Sequence, residues 1–450
     1  MKVLTVVSNM GVGGTERVAQ NMSLGLSAAG VDVAVLAYRE GGPRETAYRE
    51  AGLPVFVASG TSDGSAVEAA RQWGADVVHI HRGGYADTEE TRLLRHLRSD
   101  GAKTVETNVF ARFDWSEGGR LIDAHCNLSK WCAFKWHAWG GRAARAKRSF
   151  ILANPIDTDS IRPLSEASRQ QVRAGLGIPP GRFVFGRVGR PAMAKWSPAI
   201  IKAFQEVLPY HDIGLLLVGA PPEIVRMISQ LPDYVRSRII QVEPTYSDEK
   251  LYSLFGAMDG FLHISEIGES FGMVLCEAMV AGVPVVTLST PLKDNSQLEV
   301  VGHEKGGLIA LSTDAVPTAM HRLITDSQIQ EAVRNGGRAW VADRFGIDVV
   351  SRKALAIYES VLSDVHVTSP ADDVDAPPNR AWILNILSKG IGSPVMDTRT
   401  ALTFELLHTP FIYRAYLAAR PLLKCKRPVS LSIAQKSSPY RCAKSDIRKA

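Results

Sequence analysis

Residues 260–288 read GFLHISEIGESFGMVLCEAMVAGVPVVTL. GFLHIS is a short run of strand-forming residues, and a polar loop follows it. FGMVLCEAMVAG is apolar on nearly every side, as a helix buried in a larger core must be. Gly282 and Pro284 then return the chain to VPVVTL, a second buried strand. Near-continuous apolar strands joined through a helix form a parallel sheet covered on both faces.

The same alternation runs outward from this unit. RFVFGRV, IGLLLVG and RIIQVEP precede it as strands, with SPAIIKAFQEVLP as an interleaved helix. Earlier still, LTVVS, VDVAVLAY, VPVFVA, DVVHIH and KTVET are five more strand candidates. Between these lie TERVAQNMSLGLSAAG and TEETRLLRHLRSD, whose apolar residues recur every three or four positions. NPIDTDSIRPLSEASRQQ, polar and turn-rich, reads as the linker between the two halves. The expected fold class is α/β: two doubly wound Rossmann-like domains facing a cleft, plus a basic C-terminal extension. The domains expected are 1–155 and 156–365, the latter ending in the helix VVSRKALAIYESVL, which is free to return to the first domain. Residues 366–380 read as an acidic, Pro-rich linker and 381–450 as a basic tail. Ligands of such folds bind at the carboxyl ends of the strands, which directs attention to the cleft between the domains.

The bulk properties bound the alternatives. A chain of 450 residues is about three times the usual single-domain length. With 45% hydrophobic and 22% charged residues it has the balance of a folded soluble protein. Five scattered cysteines without a C-x-x-C pair fit a reducing compartment rather than a disulfide framework or a structural zinc site. MKVLTVVSNMGVGG is too short in its apolar run for a signal peptide and reads as a first strand. No run of 18 apolar residues is present. The formal charge of +6 is unevenly placed: residues 379–450 hold 13 Lys or Arg against 3 Asp or Glu, or +10, which leaves −4 for the rest. That excludes a nucleic-acid-binding fold throughout and assigns any attraction to polyanions to the tail.

Three clusters carry chemistry. Gly11-Val12-Gly13-Gly14-Thr15-Glu16 lies between a strand and a helix, and is either an anion-binding loop or a tight turn. A dinucleotide fingerprint would require glycine where Glu16 stands, although Glu40 sits where a ribose-binding acid belongs; a nicotinamide-dependent oxidoreductase is thereby a weak competitor. Gly186-Arg187-Val188-Gly189-Arg190, followed by Lys195, offers a guanidinium fork and a mobile ammonium suited to a diphosphate, or else a solvated basic loop. In Glu269-Ser270-Phe271-Gly272, Ser270 is placed to cap a helix that starts at Phe271, and Glu277 lies about two turns into it. A lone carboxylate on so apolar a helix either faces a cleft and accepts hydrogen bonds from ligand hydroxyls or is an ordinary exposed Glu. Asp157-Thr158-Asp159 spells a metal-binding Asp-x-Asp, but its place in a turn-rich segment assigns it to turn formation and capping, and no metal is expected.

Taken together, these residues resemble the retaining glycosyltransferases of the GT-B fold that carry a Glu-x7-Glu motif, the group 1 or family 4 type. The resemblance covers roughly residues 1–365 and rests on ordered matches: GGTERVAQNMSLGL, DVVHIH, NPIDTD (with Pro155 for the family's glycine), GRVGR with Lys195, LLLVG, and ESFGMVLCEAMVAGVPVV. It implies that Glu269 contacts the donor sugar and Glu277 the nucleotide ribose. Arg190 and Lys195, with Ser270 and the amides of Phe271 and Gly272, would hold the diphosphate, and Gly13, Gly14 and His81 would face the acceptor. Family members carry a histidine at the end of the strand matching KTVETN. Glu106 is its expected equivalent, a second catalytic residue, with His79 or His81 as alternatives. Asp294 to Glu299, His303 and Gly306-Gly307 would line the donor pocket.

The function implied is a retaining, metal-independent hexosyltransferase. It would need no cofactor, taking a nucleotide diphosphate sugar as co-substrate and a glycan or lipid-linked acceptor in polysaccharide or glycoconjugate biosynthesis. No nucleic-acid partner is implied. The expected location is the cytoplasm, or the inner face of a membrane through contact of the tail with anionic lipid. A degenerate member that binds sugar nucleotides without transferring them is the remaining alternative, disfavoured by intact Glu269, Glu277, Arg190 and Lys195.

Overall fold

The computed structural model describes residues 1–58, 64–363, 378–393 and 398–425. Two wholly parallel sheets form its centre. The first takes β1 (Lys2–Asn9), β2 (Asp32–Glu40), β3 (Val55–Val57), β4 (Val77–Arg82), β5 (Lys103–Asn108), β6 (Ala124–Asn127) and β7 (Arg148–Ile151), in the order β3-β2-β1-β4-β5-β6-β7. The second takes β8 (Phe183–Val188), β9 (Ile213–Val218), β10 (Ile239–Val242), β11 (Gly260–His263), β12 (Val285–Leu288) and β13 (Gly307–Ala310), in the order β10-β9-β8-β11-β12-β13. Both are doubly wound, and each reverses strand order once, between β1 and β4 and between β8 and β11. At the second reversal only Phe185 and Gly186 of β8 pair with β11. The strand ends beyond them are therefore free to splay into the crevice where such folds bind ligands.

Burial explains why these segments are strands. Val77 to Arg82 and Ile213 to Val218 are buried at every position, as expected for central strands with helices on both faces. β6, β7 and β13 are four residues each, and two of them carry polar side chains (AHCN, RSFI).

The segment read as a linker departs from expectation, because the helix Glu166–Gly175 begins within it. Ser165 caps this helix by accepting from the Ser168 amide at 3.2 Å. Arg169 and Arg173, one turn apart, both reach Asp259 (2.7 and 3.1 Å), whose other contact is the Val184 amide of β8. A charge periodicity invisible to an apolar count thus fixes the helix to the second sheet. After Phe345 the chain crosses back: Ile156 donates to the Phe345 carbonyl at 2.7 Å, and the helix Ile347–Ser363 buries Val350, Ala354, Ile357 and Tyr358 with Val3 and Val7 of β1.

The acidic linker falls mostly outside the described residues. The described residues of the basic tail form three helices, Arg380–Ser388, Thr398–Leu407 and Pro410–Cys425. Ile383, Leu387 and Phe404 pack against Trp131 of the first domain and Leu298, Ile309 and Leu311 of the second. Tyr413 packs with Phe113, Trp136 and Trp139. Between the first two helices Ile391 exchanges backbone hydrogen bonds with Ile309 (2.7 Å) and Leu311 (2.9 Å), on the β13 edge of the second sheet. Among the described residues no helix is long and apolar enough to cross a membrane.

Candidate active site

A cleft of about 570 Å³ opens where the two strand-order reversals face each other. Gly13, Gly14, Arg17, Arg44 and His81 line it from the first domain; Arg190, Lys195, Glu269, Gly272 and Glu277 line it from the second.

The loop after β11 is shaped by two glycines. Gly268 has φ +65°, and a Cβ there would lie 1.7 Å from the Asp294 carbonyl oxygen, so only glycine fits. Gly272, at φ +90°, turns the chain into the helix Met273–Val280. The helix therefore begins two residues later than the sequence suggests, and Ser270 does not cap it: no side-chain cap hydrogen bond is present. Ser270 instead lines the cleft, while Phe271 is buried edge-on against Phe345 at 5.2 Å.

Glu269, between these glycines, is 7% exposed. Its backbone amide donates to Gln297 Oε1 (3.1 Å), and its carbonyl accepts from the Ser296 amide (2.9 Å). Its carboxylate takes Lys195 Nζ on Oε2 at 2.8 Å and faces His263 Nε2 from Oε1 at 3.2 Å. Burial alone would raise its pKa, but His263 and Lys195 outweigh that and hold it at about 2. Glu269 is thus a fixed anion at neutral pH. Burial pushes His263 down to about 4, so that imidazole is neutral.

Lys195 closes a short turn, Met193–Lys195, which Arg187 holds from below. Arg187 is buried, donates to the carbonyls of Val188 (2.7 Å) and Lys195 (2.5 Å), and faces the Trp196 ring at 5.3 Å. Arg190 is exposed at the cleft, and its carbonyl accepts from Trp196 Nε1 at 2.9 Å. The basic cluster thereby divides into a buried scaffold, Arg187, and two cations that face the cavity, Arg190 and Lys195. Sequence spacing alone could not make that division.

Glu277 is 7% exposed and lines the cleft, which removes the reading as an ordinary surface Glu. Burial raises its pKa, and Arg17 of the first domain opposes that rise from 3.7 Å. Arg17 also pairs with Asp248 and donates to Tyr252 at 3.3 Å, so one guanidinium of the first domain spans the cleft to three groups of the second. Nothing in the sequence singled it out beyond its place one turn into the helix Gly14–Ala28.

On the first domain, Gly13 is the N-cap of that helix and Gly14 its first residue. His81, at the end of β4, is 5% exposed, and neither ring nitrogen has a hydrogen-bond partner. Its ring stacks on His79 at 4.7 Å, and burial lowers its pKa to about 3. His79 is fully engaged, with Nδ1 2.5 Å from the Tyr358 hydroxyl and Nε2 2.8 Å from Thr107 Oγ1.

Glu106 is not among the cleft-lining residues, which corrects its expected place at the reacting sugar. Its carboxylate is 1% exposed beneath the sheet end, with His125 Nδ1 at 2.6 Å, Asn108 Nδ2 at 3.0 Å and Arg82 Nη1 at 3.1 Å. Arg82, itself 3% exposed, also binds Glu90 and Asp114, and this buried cation draws Glu106 inward. Beyond β5 the cleft is lined instead by Val109 and Phe110.

Against this geometry the similarities to known proteins can be read. Residues 168–340 match the family model of glycosyl transferases group 1. This segment is a group 1 glycosyl transferase domain. An uncharacterized glycosyltransferase of Methanocaldococcus jannaschii is 22% identical over 206 residues, 44% of this chain and 50% of its own. A lipopolysaccharide core biosynthesis mannosyltransferase of Rhizobium meliloti is 26% identical over 218 residues, 47% of this chain and 61% of its own. The chain thus spans between half and three fifths of these relatives. Anabaena HepE, solved in complex with UDP, superposes with a TM-score of 0.65 at 18% identity, covering 80% of this chain and all of its own. That likeness establishes the GT-B fold.

The glycosyl transferase domain meets the first domain away from the cleft through the segment expected to line the donor pocket. Glu299 accepts from the amides of Lys130 (3.0 Å) and Trp131 (2.7 Å), at the N-terminus of the helix Lys130–Gly140. Ser296 Oγ lies 2.7 Å from Ser129 Oγ, and Asp294 pairs with Lys135. None of residues 294–299 lines the cleft; they act there as interdomain fastening. His303 Nδ1 accepts from the Ile309 amide at 3.1 Å, a role inside the domain. Asp157, in the Asp-x-Asp, accepts from the amides of Asp159 and Ser160 (3.2 and 3.0 Å).

Proposed function

We propose that this chain is a retaining hexosyltransferase that moves a sugar from a nucleotide diphosphate sugar to a glycan or glycolipid without a metal ion. The observation that carries the reading is the convergence of Glu269, Lys195, Arg190 and Glu277 on one cavity at both strand-order reversals. In this reading Glu269, anionic and immobile, accepts hydrogen bonds from the sugar hydroxyls. Glu277 binds the ribose, displacing the 3.7 Å contact with Arg17. As the bond from the anomeric carbon to the diphosphate breaks, negative charge grows on the leaving oxygen. Arg190, Lys195 and the start of the helix at Met273 stabilise that charge where it develops, which is the part a metal would otherwise play. His81, neutral and with both ring nitrogens unpartnered, hydrogen-bonds the incoming acceptor hydroxyl in this reading. Retention of configuration carries over from the Glu-x7-Glu resemblance. The group 1 match over residues 168–340, the GT-B fold and the glycosyltransferase activities of the relatives support this over an oxidoreductase.

Release of nucleoside diphosphate from UDP- and GDP-hexoses, with and without EDTA, tests the proposal, with NMR of the first-formed sugar anomer. Release that survives EDTA and yields the donor's own anomer is expected. A strict requirement for divalent metal, or the opposite anomer, would overturn the corresponding part, and a reaction seen only with NAD(H) would overturn the whole.

A further inference from the structure

The first-domain wall of the cleft carries cations and no anion. Of the residues that line it, Arg17 and Arg44 are charged and none is Asp or Glu. Arg17 has its partners across the cleft, Asp248 and Glu277. Arg44 makes no ion pair among the described residues: its Nη1 donates to Gln20 Oε1 at 2.8 Å, while its Nε is buried without a hydrogen-bond partner. Burial lowers its pKa and Arg17 adds to that, whereas Asp248 and Glu16 act on it only from a distance. The backbone fixes where this side chain stands. Met10, just after β1, accepts the Arg44 amide on its carbonyl at 3.1 Å, and a Cβ at Gly42 would lie 2.3 Å from that same oxygen, so the loop lies flat across the strand end. Two further donor groups line the same wall. Gly13 starts the helix Gly14–Ala28 with no side-chain cap, and His81, 5% exposed, has neither ring nitrogen engaged.

We infer that the acceptor carries an anionic group, a phosphate or a carboxylate, and that Arg44 binds it beside the start of the helix Gly14–Ala28. The inference rests on the transferase reading above and names the class of its acceptor. A half-buried guanidinium without a counter-ion gains most from an oxyanion, which its planar fork holds with two parallel hydrogen bonds. A helix start favours the same charge on its ligand. A neutral glycan would leave Arg44 with the amide oxygen of Gln20 alone and its burial uncompensated. The donor's diphosphate has its own cations, because Arg190 and Lys195 line the opposite wall with the start of the helix at Met273. Arg44 is thereby left for the second substrate.

The full chain is melted with UDP and with GDP, and whichever raises the melting temperature is kept at saturation so that the donor phosphate site is filled. Glucose 6-phosphate, inorganic phosphate and glucose are then added at matched ionic strength. A further rise with both phosphates and none with glucose is expected. Arg44→Gln should weaken glucose 6-phosphate by about tenfold while the rise from the nucleoside diphosphate stays. Arg44→Lys, which keeps the charge but not the fork, should retain part of the binding. Equal rises with glucose and glucose 6-phosphate, no further rise with either phosphate, or a further rise that Arg44→Gln leaves intact would overturn the inference. So would loss of the nucleoside diphosphate rise in Arg44→Gln, which would assign this residue to the donor. If neither UDP nor GDP raises the melt, the transferase reading itself falls, and the two failures are told apart.

Discussion

At the scale of single residues, the two cleft-facing cations divide one task. Removing a preorganised charge from a developing anion costs about 3 kcal/mol, roughly a hundredfold in rate. Arg190→Ala and Lys195→Ala should each lower kcat/KM by about that factor, read from nucleoside diphosphate release. Arg187→Ala should instead lower the melting temperature, because its hydrogen bonds hold the loop rather than a ligand. His81→Phe is expected to reduce kcat about a hundredfold while leaving donor affinity intact, if its unpartnered imidazole on the first-domain wall of the cleft serves the acceptor as proposed. Glu106 makes the opposite prediction, one of stability. Burial opposes its charge, but His125 and Arg82 hold its pKa at about 2 against 4.5 when unfolded. The folded state thus gains from this carboxylate above the unfolded pKa and loses that gain as pH falls from about 4.5 toward 2. Glu106→Gln should cost about 3 kcal/mol at pH 7, with the gap in melting temperature narrowing as the buffer is taken toward pH 3. A gap independent of pH would mean that Glu106 contributes shape rather than charge.

Elements show what was legible in advance. The long β-branched runs announced β1, β2, β4, β8 and β9, because a strand buried on both faces must be apolar throughout. β6 and β13, four residues long, carry too little pattern to announce themselves: AHCN is polar at two of its positions and is a strand only because neighbours pair with it. The helix Glu166–Gly175 was hidden for a different reason, since its hold on the second sheet is electrostatic through Asp259. Of the site, the Glu-x7-Glu spacing and the Gly-Arg turn could be read directly, being local in sequence. Arg17 could not, because its partners lie more than two hundred residues away, nor could the burial of Glu106 beside Arg82. The loop holding Glu269 depends on backbone that only glycine adopts. Gly272→Ala, at φ +90° with Leu275 Cδ1 2.7 Å from the new Cβ, should cost about 1–2 kcal/mol from the backbone alone. It should weaken donor binding along with stability, both measurable in one melting titration. Donor affinity unchanged in that variant would separate the helix start from the diphosphate site.

For the whole molecule, two sheets with the same winding place their reversals opposite each other, and the cleft follows from that repetition. Outside the cleft, Glu299, Ser296 and Asp294 fasten the second domain to the helix Lys130–Gly140, and the C-terminal helices cover the same junction. Phe404→Ala, which empties a site shared by Trp131 and Leu298, should cost about 3–5 kcal/mol if the extension is part of the folded unit. A melt unchanged by it would make the extension a separate appendage. The central claim, a nucleotide diphosphate sugar held by Arg190 and its neighbours, is tested most directly by a thermal-shift panel. UDP, GDP, their hexose conjugates and NAD(H) are offered to the wild type and to Arg190→Ala. At a hundred times its dissociation constant a ligand adds about 2.7 kcal/mol, enough to raise the melt by a few degrees. The account predicts a rise with one nucleoside diphosphate series that disappears in Arg190→Ala. A rise with NAD(H) alone, or one that Arg190→Ala leaves untouched, would contradict it.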